Sequence, residues 1–376
     1  MTSKQASKKE PPMHQEKNLS NTAASSEMQP SYLAYANMMR IVAAIAPVLY
    51  HVTIPFFDLH ESMSRLDWWF CNFILSSTPW VVGVFLMLSG ALLLDPSKTE
   101  SAKVFYRKRL QRVGIPLIFW SVIYLAYEAK YTAAGLTLYQ ALQRVATGQT
   151  APHLYFLFAI GGLYVFTPMM RIYIAHATRK ELFLGILLVF FMLAGGHLAS
   201  SFARRGWMGG NAFNKFIPYL GYFLLGYYLR NVIMSRKTFV WVCGLWIGSV
   251  ILTAVGTYAL VFVLDIGREM LLYRVLSPAM IITTVTTFLI LSYAFSRPSG
   301  KKTWKTNMVQ KLSAATLGVF LIHLVFVWRA HDLGMIDWLG SVWVSVPVAS
   351  FVILVISYLI TFIIGRVPYV RCIIGL

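Results

Sequence analysis

Apolar runs about 20 residues long, the length a helix needs to cross a hydrocarbon core, recur along almost the whole chain after residue 32. A soluble fold would have to cover its cores with too little polar surface. Of the 376 residues 57% are hydrophobic and only 12% charged. The expected class is therefore an all-α integral membrane protein, a polytopic bundle of about ten transmembrane helices. Charged residues, Pro and Gly punctuate the runs into helices near 34–57, 73–94, 113–130, 153–171, 182–201, 214–230, 239–264, 275–296, 312–329 and 340–365. Residues 1–31 are polar and Ser-rich, with too few large aliphatics to offset their ordering entropy, and read as a disordered cytoplasmic tail. They do not read as a secretory signal, because the first apolar run starts late and carries Arg40. Residues 32–376 read as one transmembrane domain, with no internal repeat.

The net charge of +19 raises the question of nucleic acid, but the basic residues sit in short connections and form no stripe interleaved with aromatics, so no nucleic-acid partner is expected. Of the 33 Lys and Arg, 23 fall in the two terminal tails and in alternate connections, nine in the other connections, and Arg40 within the first helix. Positive charge stays on the cytoplasmic side, which predicts both termini there and an even number of spans. Cys71, Cys243 and Cys372 are scattered and form no CxxC pair, so neither a disulfide framework nor a zinc site is expected. No metal triad, nucleophile elbow or phosphate-binding glycine loop appears.

The most informative polar pair lies in the first helix, in MRIVAAIAPVLYHV. Arg40 and His51 are eleven positions apart, which places both side chains on one face, about 16 Å apart along the axis. Pro47 between them cannot donate to the Ala43 carbonyl, and the Pro is expected to kink the helix there. Snorkelling for Arg40 and a packing role for His51 account for the pair equally well at this level. A second feature is KVFYRKRLQRVGIP, where Arg109 and Arg112 sit at i, i+3. Such paired guanidinium forks suit phosphates, for example those of coenzyme A, and equally suit anchoring at the cytoplasmic surface. Further ionisable residues within or at the ends of apolar runs are His323 in mid-span, His153, Glu128 and His197. For His323 function and a buried hydrogen bond are balanced, whereas the other three read as interfacial structural residues.

These residues resemble the acyltransferase family 3 of integral membrane O-acyltransferases, in particular stand-alone bacterial members that O-acetylate surface polysaccharides or glycolipids. The resemblance runs over about residues 33–365. Its marks are the Arg, ten residues and His of the first helix (Arg40, His51), the RxxR at the start of the third (Arg109, Arg112), and the strings VVGVFLMLSGALLL at 81–94, HLYFLFAIGGLYVFTPMM at 153–170, GYFLLGYYLR at 221–230 and LGVFLIH at 317–323. One departure is Ile41, where the family commonly has Gly after the Arg.

The resemblance implies an enzyme of the bacterial inner membrane that moves an acyl group, usually acetyl, from cytoplasmic acyl-CoA to a hydroxyl of an envelope polysaccharide or lipid-linked sugar. It implies phosphate contacts from Arg109 and Arg112, Arg40 further along the path, and His51 at the chemistry, either as general base or as a covalent acyl carrier. His153, His323 and Glu128 are possible further site residues, and membrane lipid is the surrounding partner. A polytopic exporter of a polysaccharide, lipid-linked sugar or other anion is the main rival, since kinked helices and cytoplasmic arginines would serve it too. A receptor without chemistry and a lipid or protein acyltransferase of another family are the remaining readings.

Overall fold

The computed structural model describes residues 29–57, 62–98, 100–131, 135–202, 211–264, 271–296, 304–334 and 340–376; the side chains of 29–34, 201–202 and 304–306 are not among them. The expected tail falls outside the described residues through residue 28, and 29–31 already belong to the first helix. Among the described residues every regular element is helical: α1 Gln29–Phe57, α2 Arg65–Ser77, α3 Trp80–Leu93, α4 Ala102–Arg109, α5 Ile115–Tyr131, α6 Leu138–Thr147, α7 Tyr155–His176, α8 Arg179–Phe202, α9 Leu220–Leu229, α10 Arg236–Tyr258, α11 Pro278–Phe295, α12 Trp304–Asp332 and α13 Val342–Gly365.

Among the described residues nine stretches are long and apolar enough to cross a membrane: one each in α1, α7, α8, α10, α11, α12 and α13, and two built from the pairs α2–α3 and α4–α5. Between α8 and α10 stands α9, with only ten residues, about 15 Å of helix, preceded by the short turn Ile217–Tyr219. The nine long stretches, with the short α9, make the polytopic helical bundle that hydropathy predicts.

Side-chain contacts between segments show which ends lie together. Arg230 pairs with Asp95 at 3.0 Å, Arg171 with Glu100 at 3.6 Å, and the Trp120 indole donates to the Ile373 carbonyl at 2.9 Å. These basic connections and the C-terminal turn thus share one end of the bundle. At the other end the Tyr127 hydroxyl donates to Asp332 and the Trp343 indole to Asp67, each at 2.9 Å, and Arg144 pairs with Glu128.

Several boundaries differ from expectation for local reasons. The second passage starts at Arg65, well before residue 73, because Ser64 caps the helix by accepting from the Asp67 amide; it is interrupted at Thr78–Pro79, where proline cannot supply a helical donor. The third starts at Ala102 under a Ser101 cap and passes into α5 through a π turn, Leu110–Gly114. Pro116 lacks the N–H that would bond the Arg112 carbonyl, and the Ile115 N–H reaches instead to Leu110. α1 stays helical through Pro47 and Pro55.

An unexpected element is α6, a ten-residue amphipathic helix in what reads as a loop. Thr137 and Gln140 form a capping box at its start, and Gly148 closes it with φ +64°. α3 and α9 approach closely, made possible by two reciprocal glycines. A Cβ on Gly90 would collide with the Phe223 carbonyl, and one on Gly226 with the Met87 carbonyl. α12 packs on α1, whose small residues Ala43, Ala44 and Ala46 are all buried.

Candidate functional site

Three histidines from three helical segments meet in the interior. His51 projects from α1, His153 from the turn that precedes α7, and His323 from the middle of α12. Their ring centroids are 5.4 Å apart for His51 and His323, 5.3 Å for His153 and His323, and 6.3 Å for His51 and His153. His153 and His323 are buried, at 2% and 0% exposure, and His51 is half-buried. His153 is therefore no interfacial residue, contrary to the sequence reading. The turn Ala151–Leu154 folds it inward, and its ring lies 4.9 Å from that of Tyr124.

His323 Nδ1 lies 2.7 Å from the Phe320 carbonyl oxygen. A carbonyl only accepts, so Nδ1 carries the proton and Nε2 is the bare, basic nitrogen; that Nε2 is buried with no hydrogen-bond partner among the described residues. Around His153, the Leu321 carbonyl already accepts the Tyr124 hydroxyl at 2.7 Å. Among the described residues no group of three or more His, Cys, Asp and Glu side chains could hold a metal ion.

His51 and His153 line a chamber of about 910 Å³, with Pro47, Tyr50, Tyr219, Tyr273 and Arg274 in its walls. His197 lines it as well, buried at 4% exposure rather than interfacial. A second chamber of about 810 Å³ shares Pro152, Tyr155, Trp328 and Asp332 with the first. Glu128 belongs to this side chamber, ion-paired with Arg144, and so stands apart from the histidines.

The three arginines meet elsewhere. Arg40, Arg109 and Arg112 line a narrow cavity of about 130 Å³ toward the basic end. Arg109 lies over the rings of Phe105 and Tyr164, its guanidinium 5.3 and 5.5 Å from their centroids, and its Nε is buried with no acceptor. Arg40 is within 3.5 Å of Asn37 Oδ1, and Asn37 in turn accepts from Ser313 at 2.9 Å. Phe320 lines both this cavity and the histidine chamber. Its ring is 5.2 Å from that of His153 and 5.3 Å from that of Phe156, so an aromatic layer stands between the arginines and the histidines.

Sequence reasoning missed several residues. Arg171 counted as a loop cation, yet it is 8% exposed, donates through Nε to the Leu93 carbonyl at 2.7 Å and bridges to Glu100. Its position at the end of the apolar run YVFTPMMR gave a weak signal. Phe320, Tyr127 and Trp328 gave none, because one aromatic among many in an apolar run is indistinguishable from packing.

The arrangement offers a basic passage for a phosphorylated, narrow ligand at one end and a cluster of imidazole bases in a roomy chamber toward the other. No curated protein and no solved structure matches the chain. The model of the Acyltransferase domain, acyltransferase family 3, matches residues 33–364. With the marks Arg40–His51 and Arg109–Arg112 now seen to line two cavities that meet at Phe320, the chain belongs to the integral membrane acyltransferases of family 3.

Proposed function

We propose that the protein transfers an acyl group, acetyl in the first instance, from cytoplasmic acyl-CoA to a hydroxyl of an envelope polysaccharide or lipid-linked sugar at a bacterial inner membrane. The observation that carries this reading is the pairing of an arginine-lined cavity with a histidine-lined chamber that share Phe320 in their walls. Both termini face the cytoplasm, as the bias of Lys and Arg requires.

In this reading Arg109 and Arg112 hold the phosphates of the donor, as guanidinium forks do through charge-assisted bonds. Arg40 lies further along the same cavity, and at about 130 Å³ the passage suits the thin thioester arm. The acyl carbonyl is delivered past Phe320 to the histidines. His51, half-buried and facing the larger chamber, takes the proton of the acceptor hydroxyl. The oxygen then attacks the thioester carbonyl, the C–S bond breaks, and the proton on His51 passes to the departing thiolate. His323, whose tautomer is fixed by the Phe320 carbonyl, presents its bare Nε2 beside His51 and acts as a positioning residue. In the alternative route a nitrogen of neutral His51 attacks the thioester carbonyl, the C–S bond breaks and the imidazole proton goes to the departing thiolate; the acceptor hydroxyl then attacks the acyl-imidazole, and its proton returns to His51 as the C–N bond breaks.

The test is transfer of labelled acetyl from acetyl-CoA to envelope glycans by purified protein in vesicles. Wild type is expected to label a glycan and His51→Ala is not. Absence of both CoA binding and transfer in wild type would return the exporter to first place.

A further inference from the structure

The side chamber of about 810 Å³ has none of the three histidines in its lining, and the mechanism above leaves it unused. Its walls have a distinct chemistry. Tyr127, Tyr131 and Trp328 form one aromatic surface, with ring centroids 4.6 Å apart for the two tyrosines and 5.3 Å for Tyr127 and Trp328. Around it stand side chains that exchange hydrogen bonds with hydroxyls: Gln149, the Glu128–Arg144 pair, and Asp332, whose Oδ2 accepts the Tyr127 hydroxyl.

We propose that this chamber is a saccharide subsite, holding the acceptor glycan's neighbouring sugar residue while the acylated residue lies in the histidine chamber. The proposal rests on the glycan-acyltransferase reading and adds where, and by what chemistry, more than one sugar ring is held. Three observations carry it. Flat aromatic rings pack against the C–H faces of pyranose rings, and the flanking amide and charged groups match their hydroxyls. The two chambers are contiguous, sharing Pro152, Tyr155, Trp328 and Asp332, so one chain of sugars can occupy both. An aromatic belt that merely anchors the protein in the interface would face lipid. Here Tyr127 and Trp328 face the chamber, whereas the outward apolar stripe is supplied by Leu138, Tyr139, Leu142 and Val145 of α6. An acyl chain would not suit a wall carrying Glu128, Arg144, Gln149 and Asp332.

The experiment compares two acceptors with the full-length protein in vesicles: the intact envelope glycan from cells lacking this protein, and its constituent monosaccharides as methyl glycosides. Wild type is expected to prefer the polymer at least tenfold in kcat/KM. Tyr127→Leu removes part of the platform. Gln149→Trp, at an exposed position that leaves packing undisturbed, fills the chamber. Each is expected to lower the ratio of polymer to monosaccharide kcat/KM about tenfold, with a melting midpoint equal to wild type. An unchanged ratio in Gln149→Trp, or no polymer preference in wild type, would overturn the subsite while leaving the acyltransferase reading intact. Label recovered in lipid and not in glycan would overturn it in favour of a lipid acceptor. Failure of wild type to label either sugar acceptor or lipid would overturn the parent reading, and the subsite with it.

Discussion

His323 donates its Nδ1–H to the carbonyl of Phe320, 2.7 Å away, while the ring of that same phenylalanine stands between the arginine cavity and the histidine chamber. One residue thus closes the passage with its side chain and fixes the tautomer of a buried base with its backbone. The prediction is that Phe320→Ala leaves the histidine tautomer in place and widens the passage. The KM for long acyl-CoA donors should fall relative to that for acetyl-CoA, measured with labelled donors of increasing chain length.

For the histidines themselves, His51→Ala should lower kcat by about 10²- to 10⁴-fold, the contribution typical of a positioned proton acceptor. His323→Ala is expected to cost less, because it removes a neighbour and not the group in contact with the reacting hydroxyl. Rapid-quench measurement of acyl transfer distinguishes the two. Equal, complete loss in both variants would make His323 a direct participant.

At the arginine cavity, replacing Arg109 and Arg112 together by Ala should raise the KM for acyl-CoA by about 10- to 100-fold, as expected when a charge-assisted contact worth roughly 1.5–3 kcal/mol is lost. The effect should shrink as salt is added. KM for the acceptor should stay as in wild type.

How much of this was legible in the sequence differs by element. Spans bounded by a clean change from apolar to charged residues, such as 239–264 and 340–365, are found within a few residues of α10 with its π turn and of α13. The second and third passages start earlier than read, because Arg65, Asp67 and the run KVFYRKR interrupt hydropathy without interrupting hydrogen bonding. α6 escaped because its apolar stripe is only one face of ten residues. Of the site, the shared helical face and the RxxR spacing brought out His51 and the arginines. The inward turn of His153 and the contact of His51 with His323 are long-range facts that no local pattern encodes.

Stability should respond to pH at the basic end. In the connection between α3 and α4, burial raises the Asp95 carboxyl, but the amide and hydroxyl of Ser97 and the Arg230 guanidinium outweigh it and hold the group below its ordinary range. The Glu100 carboxyl is lowered by its hydrogen bond from Lys108, against a smaller opposing effect of burial, with further lowering from Arg171. Both groups bind their proton more weakly folded than unfolded, so their stabilisation is complete above the ordinary carboxylate pKa and is lost as pH falls through the lowered folded values. The melting midpoint of the purified protein should drop below about pH 4. Asp95→Asn should flatten part of that drop.

The α3–α9 contact gives a packing prediction. Gly226→Leu would drive a side chain into the Met87 backbone, which cannot yield as a flexible side chain would. The expected cost is about 3 kcal/mol or more, at or above the usual range for overpacking. Midpoints of detergent-induced unfolding measure it. Gly244→Leu, where a Cβ meets nothing within 4 Å, should be close to neutral and serves as the control.

An enzyme hollowed from both faces of a bilayer risks short-circuiting the ion gradients that the bilayer maintains. Here the two hollows share the Phe320 ring, with Phe156 of the arginine cavity 5.3 Å from it, two side chains without a dissociable proton or a lone pair. Hydronium and metal cations find no oxygen or nitrogen there to replace their hydration, whereas a narrow, weakly polar arm such as the proposed thioester would lose little by crossing it. If the proposed transfer holds, electrical insulation and selective admission both rest on these two rings, and an ion gradient could persist across the membrane while chemistry proceeds through it.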